Sequence, residues 1–275
     1  AEAGQAPLSA PALATSATLP LPAAMATPPP LAAAAPALAE EEVFQKAYSL
    51  EGISRVSVEN VNGQIQALAW EKPYLRVRAV KKARGGRAEE LLRQTEIRVR
   101  KDGDEIQIET VNPRRRRLFG FLDYHGRSAH VDYELHLPPG VEAQLETCNG
   151  KVSASGFGGT VAADTVNGSI DLRDIAGPVR ATTVNGSLRI AFRGPLKQSH
   201  LETVNGSVEV AFDRSSGVRY DLETVNGRIE GDFALAVEGK FGPKEARGVY
   251  NASASDGTET LRCETVNGSI RLKTN

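Results

Sequence analysis

Aromatic residues are scarce in this 275-residue chain, at 5% of the total, with a single tryptophan and a single methionine. That scarcity argues against a groove enzyme that lines sugars up on aromatic platforms. Excess charge of either sign is also missing: the formal net charge is −1, so no global field draws the chain to nucleic acid or to an anionic membrane. No apolar run approaches the 18 or more residues of a membrane-spanning helix. Gly-x-Ser-x-Gly, a phosphate loop, His-Glu-x-x-His and a Cys/His pairing are all absent, so no motif marks an enzyme, and no cofactor is implied. His125, His130 and His136 lack tight ligand spacing, and no metal site is expected from them.

The first forty residues lack nearly all charge and most large side chains. Residues 1–40 are dominated by Ala and Pro, and read as a tether with polyproline-like stretches. Ala37-Leu-Ala39 before Glu40 has the small-residue look of a signal-peptidase site, although no basic stretch or unbroken apolar run precedes it. A flexible spacer is the simpler reading. Residues 41–275 form the folded domain, irregular over 41–140 and regular over 141–275.

What is abundant is one hexapeptide. Thr165-Val-Asn-Gly-Ser-Ile170 returns at Thr183, Thr203, Thr224 and Thr265, with looser copies at Asn60 and Thr147. The turn pairs are Asn62-Gly63, Asn149-Gly150, Asn167-Gly168, Asn185-Gly186, Asn205-Gly206, Asn226-Gly227 and Asn267-Gly268. A period near 20 residues marks a repeat architecture.

Aligning the copies on Asn exposes columns. Four residues before it stand Val58, Leu145, Ala163, Ala181, Leu201, Leu222 and Cys263; three after it stand Ile65, Val152, Ile170, Leu188, Val208, Ile229 and Ile270. Both columns are apolar, yet they are an odd number of residues apart. A straight strand would point them to opposite faces, so the chain must turn between them, and Asn-Gly suits a tight corner. The fold class is therefore all-β. Two arrangements fit: a β-solenoid, or β-helix-like stack, of about 20-residue coils with like residues in parallel ladders, or an antiparallel meander or sandwich with an Asn-Gly hairpin at each copy. The recurrence of Thr and Val as well as the turn pair favours stacked coils, because stacking gives like residues like surroundings.

Stacking in sequence order puts Cys148 and Cys263 six coils apart, about 29 Å. That is too far for a disulfide, and both read as small apolar fillers. It also puts Glu202 on Glu223. Thr110-Val111-Asn112-Pro113 is a copy whose glycine has become proline; proline cannot take a positive φ, so the chain should leave the stack there. Leu75–Val80, Ile97–Arg100, Ile106–Val111 and Val131–Leu137 alternate like half-buried strands, and Ala88–Gln94 is the one helical segment. The glycine-rich stretch 238–257 should replace or decorate one coil.

Val56-Ser-Val-Glu-Asn-Val-Asn-Gly-Gln-Ile65, followed by Trp70 and Lys81-Lys82, is similar to the opening of the bacterial putative-adhesin family. The later copies and the segment Leu261–Leu272 resemble that family's repeats and ending, so the resemblance spans about residues 41–275. It implies a right-handed β-solenoid-like fold, export to the periplasm or cell surface, an adhesive or scaffolding role toward a protein or glycan ligand, and no catalytic residues.

Several side-chain groups could carry binding. Arg114, Arg115, Arg116 and Arg117, followed by Phe119, Phe121 and Tyr124, could bind anionic partners and serve an envelope ligand-sensing module. Against this stands an ordinary solvated loop. Glu59, Glu146, Asp164, Glu202, Glu223 and Glu264 form an acidic column broken by Thr182. It is either a cation-binding ladder or a solvated face neutralised by nearby arginines. Val61, Val166, Val184, Val204, Val225 and Val266 form a column for which burial at the corner is expected; exposure would make it a self-association surface. Asn167, Asn185, Asn205, Asn251 and Asn267 match the glycosylation pattern, but for all except Asn251 a corner role satisfying backbone groups accounts for the residue. The reading with most support is a non-enzymatic, exported adhesin-like or scaffolding solenoid. A polysaccharide-active solenoid enzyme is the alternative from another class.

Overall fold

The computed structural model of the protein describes residues 40–111, 117–118, 121–122, 129–239, 242–254 and 258–275. The Ala/Pro-rich segment lies outside these apart from Glu40, which already belongs to the strand Glu40–Ser49.

Two large sheets face each other across one core. The strands that precede the Asn-Gly corners lie in the upstream sheet, whose order is Glu96–Asp102, Glu105–Val111, Arg55–Glu59, Glu142–Asn149, Val161–Asn167, Val179–Asn185, Ser199–Asn205, Thr258–Thr265, Gly217–Thr224, Lys244–Tyr250 and Val237–Glu238. The strands that follow the corners lie in the downstream sheet, whose order is Glu40–Ser49, Tyr74–Ala83, His130–Leu137, Ile65–Ala69, Val152–Ser155, Ile170–Ile175, Leu188–Phe192, Val208–Phe212, Ile270–Thr274 and Ile229–Gly231. Neighbouring repeat strands are parallel and in register, Asn149 beside Asn167 and Asn167 beside Asn185. The hairpin meander is thereby excluded for the repeats.

The two apolar columns meet in the core as the odd spacing requires. Val58, Leu145, Ala163, Ala181, Leu201, Leu222 and Cys263 are buried, as are Ile65, Val152, Ile170, Leu188, Val208, Ile229 and Ile270. Leu172, Ile190, Val210 and Leu272 continue the layer, with Phe192 and Phe212 behind them. The short helix Ala88–Gln94 covers a small separate cluster of Ala83, Ala88, Leu92 and Ala129.

Stacking does not follow chain order throughout. The final copy inserts between two earlier ones: Leu201 pairs with Cys263, and Cys263 with Leu222. Glu202 therefore lies on Glu264 rather than on Glu223. Cys148 and Cys263 are four strand steps apart instead of six, about 19 Å, and both are free thiols. Burial pushes the Cys263 thiol up, so it stays neutral.

A further coil precedes the Asn62 coil in space. Glu109 lies beside Glu59 and Tyr133 beside Ile65, so Glu105–Val111 and His130–Leu137 act as its two limbs. The strand ends at Val111, where the sequence changes to Asn112-Pro113. The proline argument itself needs correction. Of the motif glycines only Gly63 has a positive φ, at 126°. The excursion near residue 240 decorates the other end, where Lys244–Tyr250 runs antiparallel along Gly217–Thr224.

Candidate functional site

Four positions of the hexapeptide, Thr, Asn, Gly and Ser, are accounted for by coil-on-coil contacts. Six of the seven motif asparagines donate their side-chain amide to the side-chain oxygen of the asparagine one coil away: Asn149 to Asn62, Asn167 to Asn149, Asn185 to Asn167, Asn205 to Asn185, Asn267 to Asn205 and Asn226 to Asn267, all at 2.8–2.9 Å. The corner asparagines thus bond one another, where a backbone-satisfying role was expected.

The threonines bond the backbone. Thr147, Thr165, Thr183, Thr203, Thr265 and Thr224 donate to the carbonyls of Gly63, Gly150, Gly168, Gly186, Gly206 and Gly268. Each is buried, so these bonds satisfy groups that are costly to leave bare. Asn60 replaces the threonine in the first copy and donates to the Val131 carbonyl at 2.8 Å. The motif serines accept from the next coil, as Ser169 does from the Ser187 amide at 3.4 Å.

Glycine is required by space. A Cβ on Gly168 would lie 1.8 Å from the Gly150 carbonyl oxygen, and one on Gly206 would lie 1.9 Å from that of Gly186. The corners stack backbone on backbone. At the far end of the stack the Lys244 ammonium donates to the Gly227 carbonyl at 2.8 Å, the place a further threonine would take.

The valine column corrects the expectation of burial. Val166, Val184, Val204 and Val266 are 36–43% exposed, because strict alternation continues to the corner. Val166, Val184 and Val204 lie on three adjacent strands and Val266 just past the end of the fourth, so they form an apolar ridge beside the asparagine ladder. Val61 is buried and Val225 half-buried, so the ridge fades toward both ends.

The acidic column runs across the upstream sheet with one break, at Thr182. Glu109, Glu59, Glu146, Asp164, Thr182, Glu202, Glu264, Glu223 and Glu245 are successive cross-strand neighbours. Burial raises the Glu59 carboxyl above its ordinary range, and the Glu146 and Glu109 charges push it further. Burial also raises Asp164, with Glu146 adding to the shift, while the Thr182 hydroxyl and Arg180 pull the other way. Among the described residues no group of His, Cys, Asp or Glu has metal-binding geometry.

The downstream sheet balances its outer charges. Lys151 and Arg173 flank Asp171 at 3.0 and 2.9 Å, Arg271 meets Glu230 at 2.7 Å, and Lys273 meets Glu209 at 2.6 Å. Burial alone would raise Asp171, but hydrogen bonds from Arg173 and Lys151 hold it below the usual carboxylate range.

Sequence reasoning missed a cleft on the upstream sheet. Arg180, His200 and Arg262 are consecutive cross-strand neighbours along one wall. Thr160, Pro178, Gln198 and Thr260 form the other wall, with Val179 and Ser199 beneath, around a volume of about 320 Å³. The available signal was the column five residues before the Asn, where Arg180, His200 and Arg262 stand among Ser57, Gln144, Ala162 and Asp221, together with the Thr182 break in the acidic column. Arg114–Arg117, Phe119, Phe121 and Tyr124 lie outside the described residues, except that the backbone pairs Arg117–Leu118 with Phe121–Leu122.

A family model described as Toastrack DUF4097 matches residues 51–273. Among solved structures, a putative cell adhesion protein from Clostridium sporogenes is similar at 14% identity and a TM-score of 0.51, covering 86% of this chain and 100% of that one. A putative adhesin from Bacteroides fragilis is similar at 9% identity and a TM-score of 0.40, covering 84% and 97%. No curated protein matches the chain.

Proposed function

The chain belongs to the Toastrack DUF4097 family, and from that premise we propose that it is a non-enzymatic, adhesin-like scaffold exported to the cell surface. The carrying observation is the division of labour in the repeat. The Asn, Thr, Gly and Ser positions are engaged in holding coil on coil, which leaves the valine ridge as the repeated apolar feature facing solvent. A row of side chains about 4.8 Å apart on a rigid sheet suits multivalent association, since one contact geometry recurs along it. The name of the similar Clostridium sporogenes structure, a putative cell adhesion protein, supports the same reading. In it, residues 1–40 act as a tether, and the coils wind right-handed.

The test replaces Val184 and Val204 by Lys in the full chain and follows sedimentation velocity over a concentration series. The wild type should associate as concentration rises. The double variant should keep its far-ultraviolet circular dichroism and stay monomeric. A wild type that never associates, or a double variant that associates as before, removes the ridge from the proposal; a double variant that unfolds returns these valines to a structural role.

A further inference from the structure

We propose that the cleft bounded by Arg180, His200 and Arg262 binds a carboxylate-bearing sugar unit, a hexuronate, of an acidic glycan. The proposal does not depend on the valine ridge, which lies nearer the corners on the same strands.

The first support is the break in the acidic column. On the two strands stacked beyond it, a basic side chain stands two residues before a carboxylate. Arg262 pairs with Glu264, and His200 lies 3.9 Å from Glu202. On Arg180's own strand the corresponding position is Thr182; the carboxylate whose charge acts on Arg180 is Asp164 on the neighbouring strand, and it forms no ion pair with it. Arg180's neighbour across the strand on the other side is Ala162. Arg180 is exposed, so its guanidinium fork is available to a planar carboxylate, the geometry arginine recognises by paired hydrogen bonds.

The second support is the opposite wall. Thr160, Gln198 and Thr260 supply hydroxyl and amide groups that donate and accept, complementing sugar hydroxyls. Pro178 and the arginine stems offer apolar surface for a pyranose face. The volume of about 320 Å³ is at the small end of ligand sites and suits one sugar unit rather than a long segment. Ser199, beneath, accepts from the Val179 amide and donates to the Lys197 carbonyl, so the floor is held in place independently of any ligand.

Calorimetric titration of the full chain with glucuronate, glucose, acetate, inorganic phosphate and polygalacturonate tests this. Glucuronate should bind saturably, and glucose, acetate and phosphate at least about tenfold more weakly. Polygalacturonate should bind at least as tightly per unit as glucuronate if chain-internal units are accepted; a polymer that fails to bind while glucuronate binds restricts the site to free or terminal units and overturns the glycan part. Arg180→Ala should lower glucuronate affinity at least about tenfold, and Arg180→Lys should fall between. Arg271→Ala, on the other sheet, should leave it unchanged. Absence of saturable glucuronate binding, equal binding of phosphate or acetate, or an Arg180→Ala variant that binds like wild type overturns the assignment. Thermal unfolding of each variant separates loss of binding from loss of fold.

Discussion

A Cβ placed on Gly168 would fall 1.8 Å from the carbonyl oxygen of Gly150, one coil away. No real Cβ occupies such a contact, so the corner admits only glycine, for reasons of space and not of φ. Gly168→Ala should therefore destabilise by about 3 kcal/mol or more, because the neighbouring backbone must move. Gly140→Ala, where nothing lies within 4 Å, should stay within about 0.5 kcal/mol. Urea unfolding of both variants checks the contrast, and equal effects would remove the stacking explanation.

The asparagine ladder is exposed along most of its length, so its bonds compete with water. Asn185→Ala deletes one donor and one acceptor in mid-ladder and should cost about 1–2 kcal/mol. Asn185→Asp keeps the acceptor for Asn205 but presents a carboxylate to the Asn167 oxygen. Its penalty relative to wild type should be larger at pH 7 than near pH 3, where a protonated carboxyl can donate again. Thermal melts of the two proteins at both pH values decide this.

The Lys244 ammonium completes the threonine ladder at the terminal coil by donating to Gly227. Lys244→Met leaves that carbonyl without its donor and should cost about 1 kcal/mol, a shift of roughly 2–4 °C in Tm for a domain of this size. Amide exchange should speed up at the terminal coil, around Thr224–Ile229, and remain unchanged at the Asn167 coil. Uniform acceleration would place the effect elsewhere.

Glu59 and Asp164 give the acidic column a definite pH signature. Their carboxyls are raised in the folded chain, so the native state holds protons more tightly than the unfolded state does. Stability from these two groups is lost as pH rises from the ordinary carboxylate range through their raised values. Asp132 and Asp171 act oppositely. Burial alone would raise both, but bonds from the Gln64 amide and Lys82 to Asp132, and from Arg173 and Lys151 to Asp171, hold them low, so their contribution is lost as pH falls. Glu59→Gln with Asp164→Asn should therefore raise Tm more at pH 8 than at pH 4. An increase that does not depend on pH would contradict this assignment.

Much of the repeat was legible in the residues alone. The odd spacing of the two apolar columns required a corner, since period-two alternation cannot otherwise bring Leu145 and Val152 to one core. The identity of Thr, Asn and Gly from copy to copy required like surroundings, which parallel stacking provides. The helix Ala88–Gln94 and the alternating strands followed from the same local rules.

The exposure of Val184 and Val204 was not settled that way, because alternation and corner burial give opposite answers one residue before the turn. Nor was the partner of each coil. A parallel ladder accepts any coil carrying the same residues, so nothing in Thr265–Ile270 dictates that it stack on Thr203–Val208 rather than on Thr224–Ile229 alone. The tertiary structure decides this by closing an end: Lys244–Tyr250 pairs with Gly217–Thr224 and makes that coil terminal, and the final copy takes the place between. The sequence by itself determined the coil and its corner, through side-chain period and the space at glycine. Only the fold decided the order of the coils, and with it which of Arg180, His200 and Arg262 share one cleft.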